Sequence, residues 1–161
     1  MVRPLPIANP PNPWAKTAVE WIGEAPNETL HFYEERAKSI LNRIDSPDLG
    51  MWWNVNPYRG CFHACAYCYA RPTHQYWGFG AGTDFDRRIV VKVNAPELLV
   101  EAFARASWRG DTVTFSGNTD CYQPAEASFQ LTRRLLQVCV DHRNPVHVIT
   151  KGALVRRDVD L

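Results

Sequence analysis

Cys61-Phe62-His63-Ala64-Cys65-Ala66-Tyr67-Cys68 is the stretch from which the rest of this chain is best read. It sets three thiols at C-x3-C-x2-C spacing within eight residues, with an aromatic residue directly before the last one. Three thiolates this close can close around one face of a metal centre. They leave one coordination position without a local ligand, and that open position is the most informative feature of the sequence. Structural zinc asks for four closed ligands, commonly from two knuckles far apart. Here a single knuckle is present, and Cys121 and Cys139 are not spaced as a second. His63 or His74 could complete a zinc site with the three cysteines. Iron–sulfur clusters are held by thiolates, usually four, so three leave one iron free to bind something else. The remaining reading, free cysteines buried as small hydrophobes, sits badly with three thiols on one loop.

The background is that of an ordinary globular chain. Its 161 residues suit one domain, 45% hydrophobic content supports a buried core, and a formal net charge of +1 excludes a polyelectrolyte surface. The charge is uneven, however. Residues 51–94 carry five Lys/Arg (Arg59, Arg71, Arg87, Arg88 and Lys92) against two acids, Asp84 and Asp86. The cysteine segment and its C-terminal flank are therefore locally positive, which suits an anionic substrate or a carboxylate-bearing cofactor and equally a solvated basic loop. Five cysteines, three of them clustered, do not make a secreted disulfide framework. The opening Met-Val-Arg-Pro-Leu-Pro leads into no apolar leader, and no run approaches a membrane span. A reducing, cytoplasmic location without membrane association is expected.

Upstream of the motif, residues 1–36 read as a Pro-rich, partly flexible extension, with Trp14 and Trp21 packing back onto the domain. Leu30, Tyr33, Ala37, Ile40, Leu41 and Ile44 fall at helical spacing, which predicts a helix over 28–44 with Asn27 as its N-cap, closed by Pro47 and Gly50. Residues 51–57 read as a strand ending at Pro57. Downstream, residues 69–88 suggest an irregular excursion, and Ile89–Val93 a short strand. A helix opening near Pro96 carries Leu98, Leu99, Ala102, Phe103 and Ala106 to Gly110. Thr112–Phe115 is the next strand, 125–142 the next helix, Val146–Thr150 a third strand, and 153–161 the start of a further helix.

This alternation predicts an α/β fold of about three βα units with a parallel sheet. Ligands of such sheets bind at the C-terminal strand ends. The cysteine loop, Ser116–Asp120 and Thr150–Lys151 all fall there.

At these residues the chain resembles the radical S-adenosylmethionine (SAM) enzymes, and within them the subgroup related to spore photoproduct lyase, the DNA repair photolyase-like proteins. The resemblance is carried by Asn56-Pro57-Tyr58-Arg59-Gly60-Cys61, Tyr67-Cys68-Tyr69-Ala70-Arg71-Pro72-Thr73-His74, Asn118-Thr119-Asp120, Tyr122-Gln123-Pro124 and Thr150-Lys151 through Arg157-Asp158-Val159-Asp160-Leu161. It implies a partial (β/α) TIM-like barrel. Residues 37–161 would be the N-terminal part of the core, with the C-terminal half absent.

It further implies that Cys61, Cys65 and Cys68 hold a [4Fe–4S] cluster whose free iron chelates S-adenosylmethionine. Reductive cleavage would give a 5′-deoxyadenosyl radical, for lyase or repair-type chemistry on nucleic acid, with a flavodoxin or ferredoxin as electron donor. Tyr67 would lie along the adenosine. Ser116 and Asn118 would contact the methionine end, although the family's usual Gly-Gly-Glu is absent there. Lys151 would pair with a carboxylate or ribose oxygen, and Asp120 would bind the cofactor amine, orient Lys151 or cap the following helix. His63 would tune the cluster by hydrogen bonding, and Arg71 and His74 would act as substrate or supporting groups. Cys121 lies near the rim as a substituted loop residue, and Cys139 belongs to the core. A zinc-binding interaction module and a non-catalytic iron–sulfur fragment are the competing functions.

Overall fold

The computed structural model describes residues 30–161 except positions 47, 49, 51 and 52. The Pro-rich opening, Trp14, Trp21, Asn27 and Pro47 lie outside the described residues. In chain order the elements are β1 (His31–Glu35), β2 (Leu41–Arg43), β3 (Trp53–Val55), β4 (Tyr58–Arg59), α1 (Thr83–Arg87), β5 (Arg88–Lys92), α2 (Ala95–Phe103), β6 (Val113–Phe115), α3 (Glu126–Phe129), α4 (Leu131–Asp141) and β7 (Val146–Val148). Two 3₁₀ segments, Arg71–Trp77 and Ala153–Asp158, complete the set, the second standing where a longer helix was expected.

The α/β class is as expected, but a single parallel sheet of three βα units is not what forms. There are two mixed sheets, ordered β1-β5-β4 and β2-β3-β6-β7. In the larger, β3, β6 and β7 run parallel, with Val55 opposite Phe115 and Phe115 opposite Val148, while β2 is antiparallel at the edge. In the smaller, β5 pairs parallel with β1 and antiparallel with β4. The sequence at Asn56-Pro57 causes the division. Proline has no N–H to give a ladder, and the Pro57 carbonyl accepts the Lys92 N–H at 3.0 Å. The chain after β3 therefore leaves the larger sheet and pairs with β5.

The helix expected over 28–44 is replaced by β1 and β2. Its apolar residues sit at helical spacing, but His31-Phe32-Tyr33 is a β-favouring run and finds partners along β5. Phe32 packs edge-on against Phe129 at 5.1 Å and Tyr33 tilts against Phe79 at 5.2 Å. The Ala37 backbone is held by Asn94 in a reciprocal pair, N–H to Oδ1 and Nδ2 to carbonyl, each 2.9 Å. Tertiary pairing outweighs the local pattern. The boundary expected at residue 36 thus follows a strand already built into a sheet.

The helix expected over 125–142 is broken at Gln130, whose φ is 51°. The break has a physical cause. The first N–H groups of a helix lack intrahelical partners, and those of Thr132 and Arg133 donate to the Glu126 carboxylate at 2.9 and 3.2 Å. One buried side chain from α3 thereby starts α4. The main core lies between the larger sheet and the helices, where Val55, Val113, Phe115, Leu99, Leu135 and Cys139 are buried. Each fully buried Leu or Phe contributes about 1.5–3 kcal/mol.

Candidate functional site

Because β3, β6 and β7 are parallel and in register, their C-terminal ends lie side by side. The loops after β6 and β7, together with the cysteine loop that follows β4, enclose a cleft of about 390 Å³. Cys61, Cys65, Cys68 and Tyr67 line it from the cysteine loop, Ser116, Asn118 and Asp120 from the loop after β6, and Lys151 from the end of β7. The three cysteines and the residues expected at the cofactor, Tyr67, Ser116, Asn118, Asp120 and Lys151, are therefore brought to one place.

The cysteine loop is clamped from four directions. Gly60 enters it with φ +74°, and a Cβ there would lie 2.8 Å from the Arg88 carbonyl and 3.0 Å from that of Phe85. This backbone can come so close only without a side chain. The Cys61 N–H donates to the Phe85 carbonyl at 2.8 Å. Gln123, fully buried, straddles Cys61: its Oε1 accepts from the Phe62 N–H at 2.9 Å and its Nε2 donates to the Gly60 carbonyl at 3.0 Å. Arg71 donates from Nε to the Cys65 carbonyl at 3.0 Å and from Nη2 to Asp86 at 2.7 Å. Arg71 therefore supports the loop and does not stand free for substrate. Burial pushes the Cys61 thiol above its ordinary pKa.

The loop after β6 has an unusual backbone. Ser116 and Gly117 both take positive φ, 79° and 92°, a costly state for a residue with a side chain. The Ser116 hydroxyl accepts from the Cys121 N–H at 3.1 Å, and the Gly117 carbonyl accepts from the Tyr69 hydroxyl. The Asn118 N–H donates to Asn56 Oδ1 at 3.0 Å. Asp120 bridges the strand ends: Oδ1 accepts from the Tyr122 N–H at 2.8 Å and the Thr150 hydroxyl at 2.6 Å, and Oδ2 from the Lys151 N–H at 3.0 Å. His63 Nε2 lies 3.4 Å from the same Oδ2. Lys151 Nζ is 2.5 Å from Cys65 Sγ, and this contact raises the pKa of the amine. Tyr67 remains 86% exposed, its ring free to meet a ligand.

Other sequence candidates lie elsewhere. His74 is 1% exposed, packs against Phe79 and Phe85, and among the described residues neither ring nitrogen has a hydrogen-bond partner; burial lowers its pKa. It does not line the cleft, so of the two histidines considered for zinc it is His63 that faces the cysteines. Cys121 is not at the rim: like Cys139 it is buried in the main core, and burial pushes both thiols to about 12. Gln123 and Tyr58, whose hydroxyl donates to the buried Glu126 carboxylate at 2.5 Å, stand inside the recognised motifs, yet their structural roles carry no sequence signal, since each depends on a partner more than 60 residues away.

The donor set fits an iron–sulfur cluster. All five cysteines are free. Among the described residues no three His, Cys, Asp or Glu side chains gather around one point. Thiolates are the usual ligands of such a cluster, and Cys61, Cys65 and Cys68, which line this cleft, would hold it.

An α/β fold with a three-cysteine loop at the strand ends defines a class of cluster-bearing protein, and the comparisons agree. The Radical SAM superfamily model matches residues 55–161, and the chain belongs to that superfamily. Its members use a [4Fe–4S] cluster and S-adenosylmethionine. An uncharacterised protein of Mycobacterium tuberculosis is 44% identical over 133 residues, 82% of this chain and 39% of that protein. One from Methanocaldococcus jannaschii is 33% identical over 135 residues, 84% of this chain and 48% of its own length. One from Acidianus two-tailed virus is 27% identical over 118 residues, 71% and 38% respectively. The chain thus spans less than half the length of these curated relatives. No solved structure matches it. Among the described residues no helix is long and apolar enough to cross a membrane.

Proposed function

We propose that the cleft is the cluster and cofactor end of a radical SAM enzyme related to spore photoproduct lyase, acting on nucleic acid in the cytoplasm and reduced by a flavodoxin or ferredoxin. The observation that carries this reading is the convergence of the three free cysteines with Lys151 and the loop after β6 on one cleft. When bound, the cluster supplies the electron that cleaves S-adenosylmethionine to methionine and a 5′-deoxyadenosyl radical.

The chain's own residues position and shield. Cys61, Cys65 and Cys68 would hold three irons, with Gln123 and Arg71 fixing the loop that carries them. Lys151 places a positive charge beside Cys65, where it would meet the cofactor carboxylate. Asp120 holds the Lys151 backbone. The loop at Ser116 and Asn118 offers main-chain groups to the methionine amine in place of the family's acidic side chain. The exposed ring of Tyr67 would cover the adenine. The nucleic-acid substrate is supported by the family resemblance.

The test is anaerobic reconstitution of the chain followed by dithionite and S-adenosylmethionine. About four irons and four sulfides per chain and release of 5′-deoxyadenosine are expected, with iron lost in any single Cys→Ser variant at the three positions. One zinc and no iron would make it a zinc module, with His63 as the fourth ligand. An intact cluster whose spectrum ignores S-adenosylmethionine would make it a non-catalytic iron–sulfur fragment.

A further inference from the structure

A second pocket lies across the Gly117–Asn118 backbone from the cysteine cleft. It measures about 210 Å³ and is walled by Asn42, Asn54, Asn56, Arg59 and Lys92, with Gly117 and Asn118 forming a rim that both pockets share. Its lining contains two cations and no carboxylate.

Some of its donors are unspent among the described residues. Lys92 is only 4% exposed, and among the described residues no carboxylate forms an ion pair with it. A buried ammonium normally finds a partner or surrenders its proton. Burial, then the nearby Arg59, lowers the Lys92 pKa to about 8, with Glu35 acting the other way. Glu35 stands opposite Lys92 in the β1–β5 register, yet its Oε2 is itself buried with no hydrogen-bond partner among the described residues. Even with Glu35 counted, Arg59 leaves the region positive. Arg59 Nε is also buried with no hydrogen-bond partner among the described residues, while its guanidinium sits 5.9 Å from the Trp77 ring centre.

Of the three asparagines, Asn54 adds a donor too. Asn54 Oδ1 accepts from Asn42 Nδ2 at 3.3 Å and from Asn56 Nδ2 at 3.1 Å. That settles which end of the Asn54 amide is which and leaves its Nδ2 with no protein acceptor among the described residues. A cavity lined by an ammonium, a guanidinium and an amide NH₂ has the character of an oxyanion receptor. Several oxygens are needed to satisfy so many donors, and a tetrahedral phosphate offers them where a planar carboxylate has two.

We propose that this pocket binds a phosphate group, held by Lys92, Arg59 and Asn54, and that it anchors a phosphate-bearing substrate whose reacting part lies across the Gly117–Asn118 rim in the cysteine cleft. The phosphate site stands on the pocket alone; its use as a substrate anchor rests on the function proposed above.

Titration of the reconstituted chain with inorganic phosphate, followed by calorimetry or phosphorus NMR line width, tests it. Saturable binding is expected. Asn54→Asp exchanges the unpartnered Nδ2 for an oxygen while keeping the accepting Oδ1, and should weaken phosphate at least about tenfold by like-charge repulsion. Lys92→Met should do the same, with circular dichroism confirming that both variants fold. A short single-stranded oligonucleotide that displaces the phosphate identifies a nucleic-acid phosphodiester as the source. Displacement by a phosphomonoester alone assigns the site to a small phosphorylated compound. No saturable binding, or binding that Asn54→Asp leaves unchanged in a folded protein, overturns the proposal. Phosphate binding without deoxyadenosine formation would instead overturn the proposed radical chemistry and leave the pocket standing.

Discussion

Asp120 Oδ2 accepts the Lys151 N–H at 3.0 Å, so one carboxylate on the loop after β6 fixes the end of β7 and with it the amine that reaches Cys65. Its other oxygen takes the Thr150 hydroxyl and the Tyr122 N–H. Asp120→Asn would turn an amide NH₂ toward groups that are themselves donors. A buried donor left without an acceptor costs about 1–3 kcal/mol. Thermal unfolding should show that loss, and equilibrium dialysis of the reconstituted variant should show weaker S-adenosylmethionine binding. Full stability and full affinity would mean that the bridge does not position Lys151.

Lys151 itself is exposed apart from its contact with Cys65, so removing its charge should leave the fold intact. A hydrogen bond to a charged group is worth about 1.5–3 kcal/mol. Lys151→Met is therefore expected to keep its iron and bind S-adenosylmethionine about tenfold or more less tightly. If iron content falls instead, the amine serves the cysteine loop and not the cofactor.

Gly60 offers a sharper test of the loop. Alanine there meets both a left-handed backbone, which costs roughly 1–2 kcal/mol, and two carbonyls at 2.8 and 3.0 Å. Cys61 is bonded to one of those carbonyls. Gly60→Ala should lower the unfolding midpoint and shorten the time over which a chelator strips the iron. A variant that holds iron as well as the parent would show that the loop tolerates displacement.

Acid should weaken the far side of the fold through Asp158. Burial alone would raise its carboxyl pKa, but Arg157 at 2.6 Å, Arg133 at 2.7 Å and Tyr122 at 3.1 Å outweigh it and hold the group below the ordinary carboxylate value. A carboxyl depressed in the folded state contributes stability that is complete above its unfolded value, about 3.9, and is lost as the pH falls through the lower folded value. Urea unfolding between about pH 6 and pH 3 should show stability declining as the unfolded-state value is passed, and a shallower decline in Asp158→Asn. Equal slopes in the two proteins would place the acid sensitivity elsewhere.

The candidate site was the most legible part of the chain and the sheet arrangement the least. Cysteine spacing is a local property, so three ligands within eight residues could be read without a fold. The expected helix over 28–44 failed because Phe32 and Tyr33 take their structure from β5, some 57 residues away in sequence. Asp120 and Lys151 were both candidates, but the bridge between them exists only because β6 and β7 are adjacent and parallel.

The sequence by itself determined the positions of the three thiolates and of the strand-end loops that accompany them, because those depend on spacing and residue type. Only the tertiary structure decided the rest. It placed Cys121 and His74 away from the cleft, divided the strands into two sheets at Asn56-Pro57, set Gln123 astride Cys61, and gathered Arg59, Lys92 and Asn54 around a second pocket. The physical reason is the same throughout: burial, hydrogen-bond satisfaction and charge are decided by neighbours distant in the chain, and a sequence states only which groups must find them.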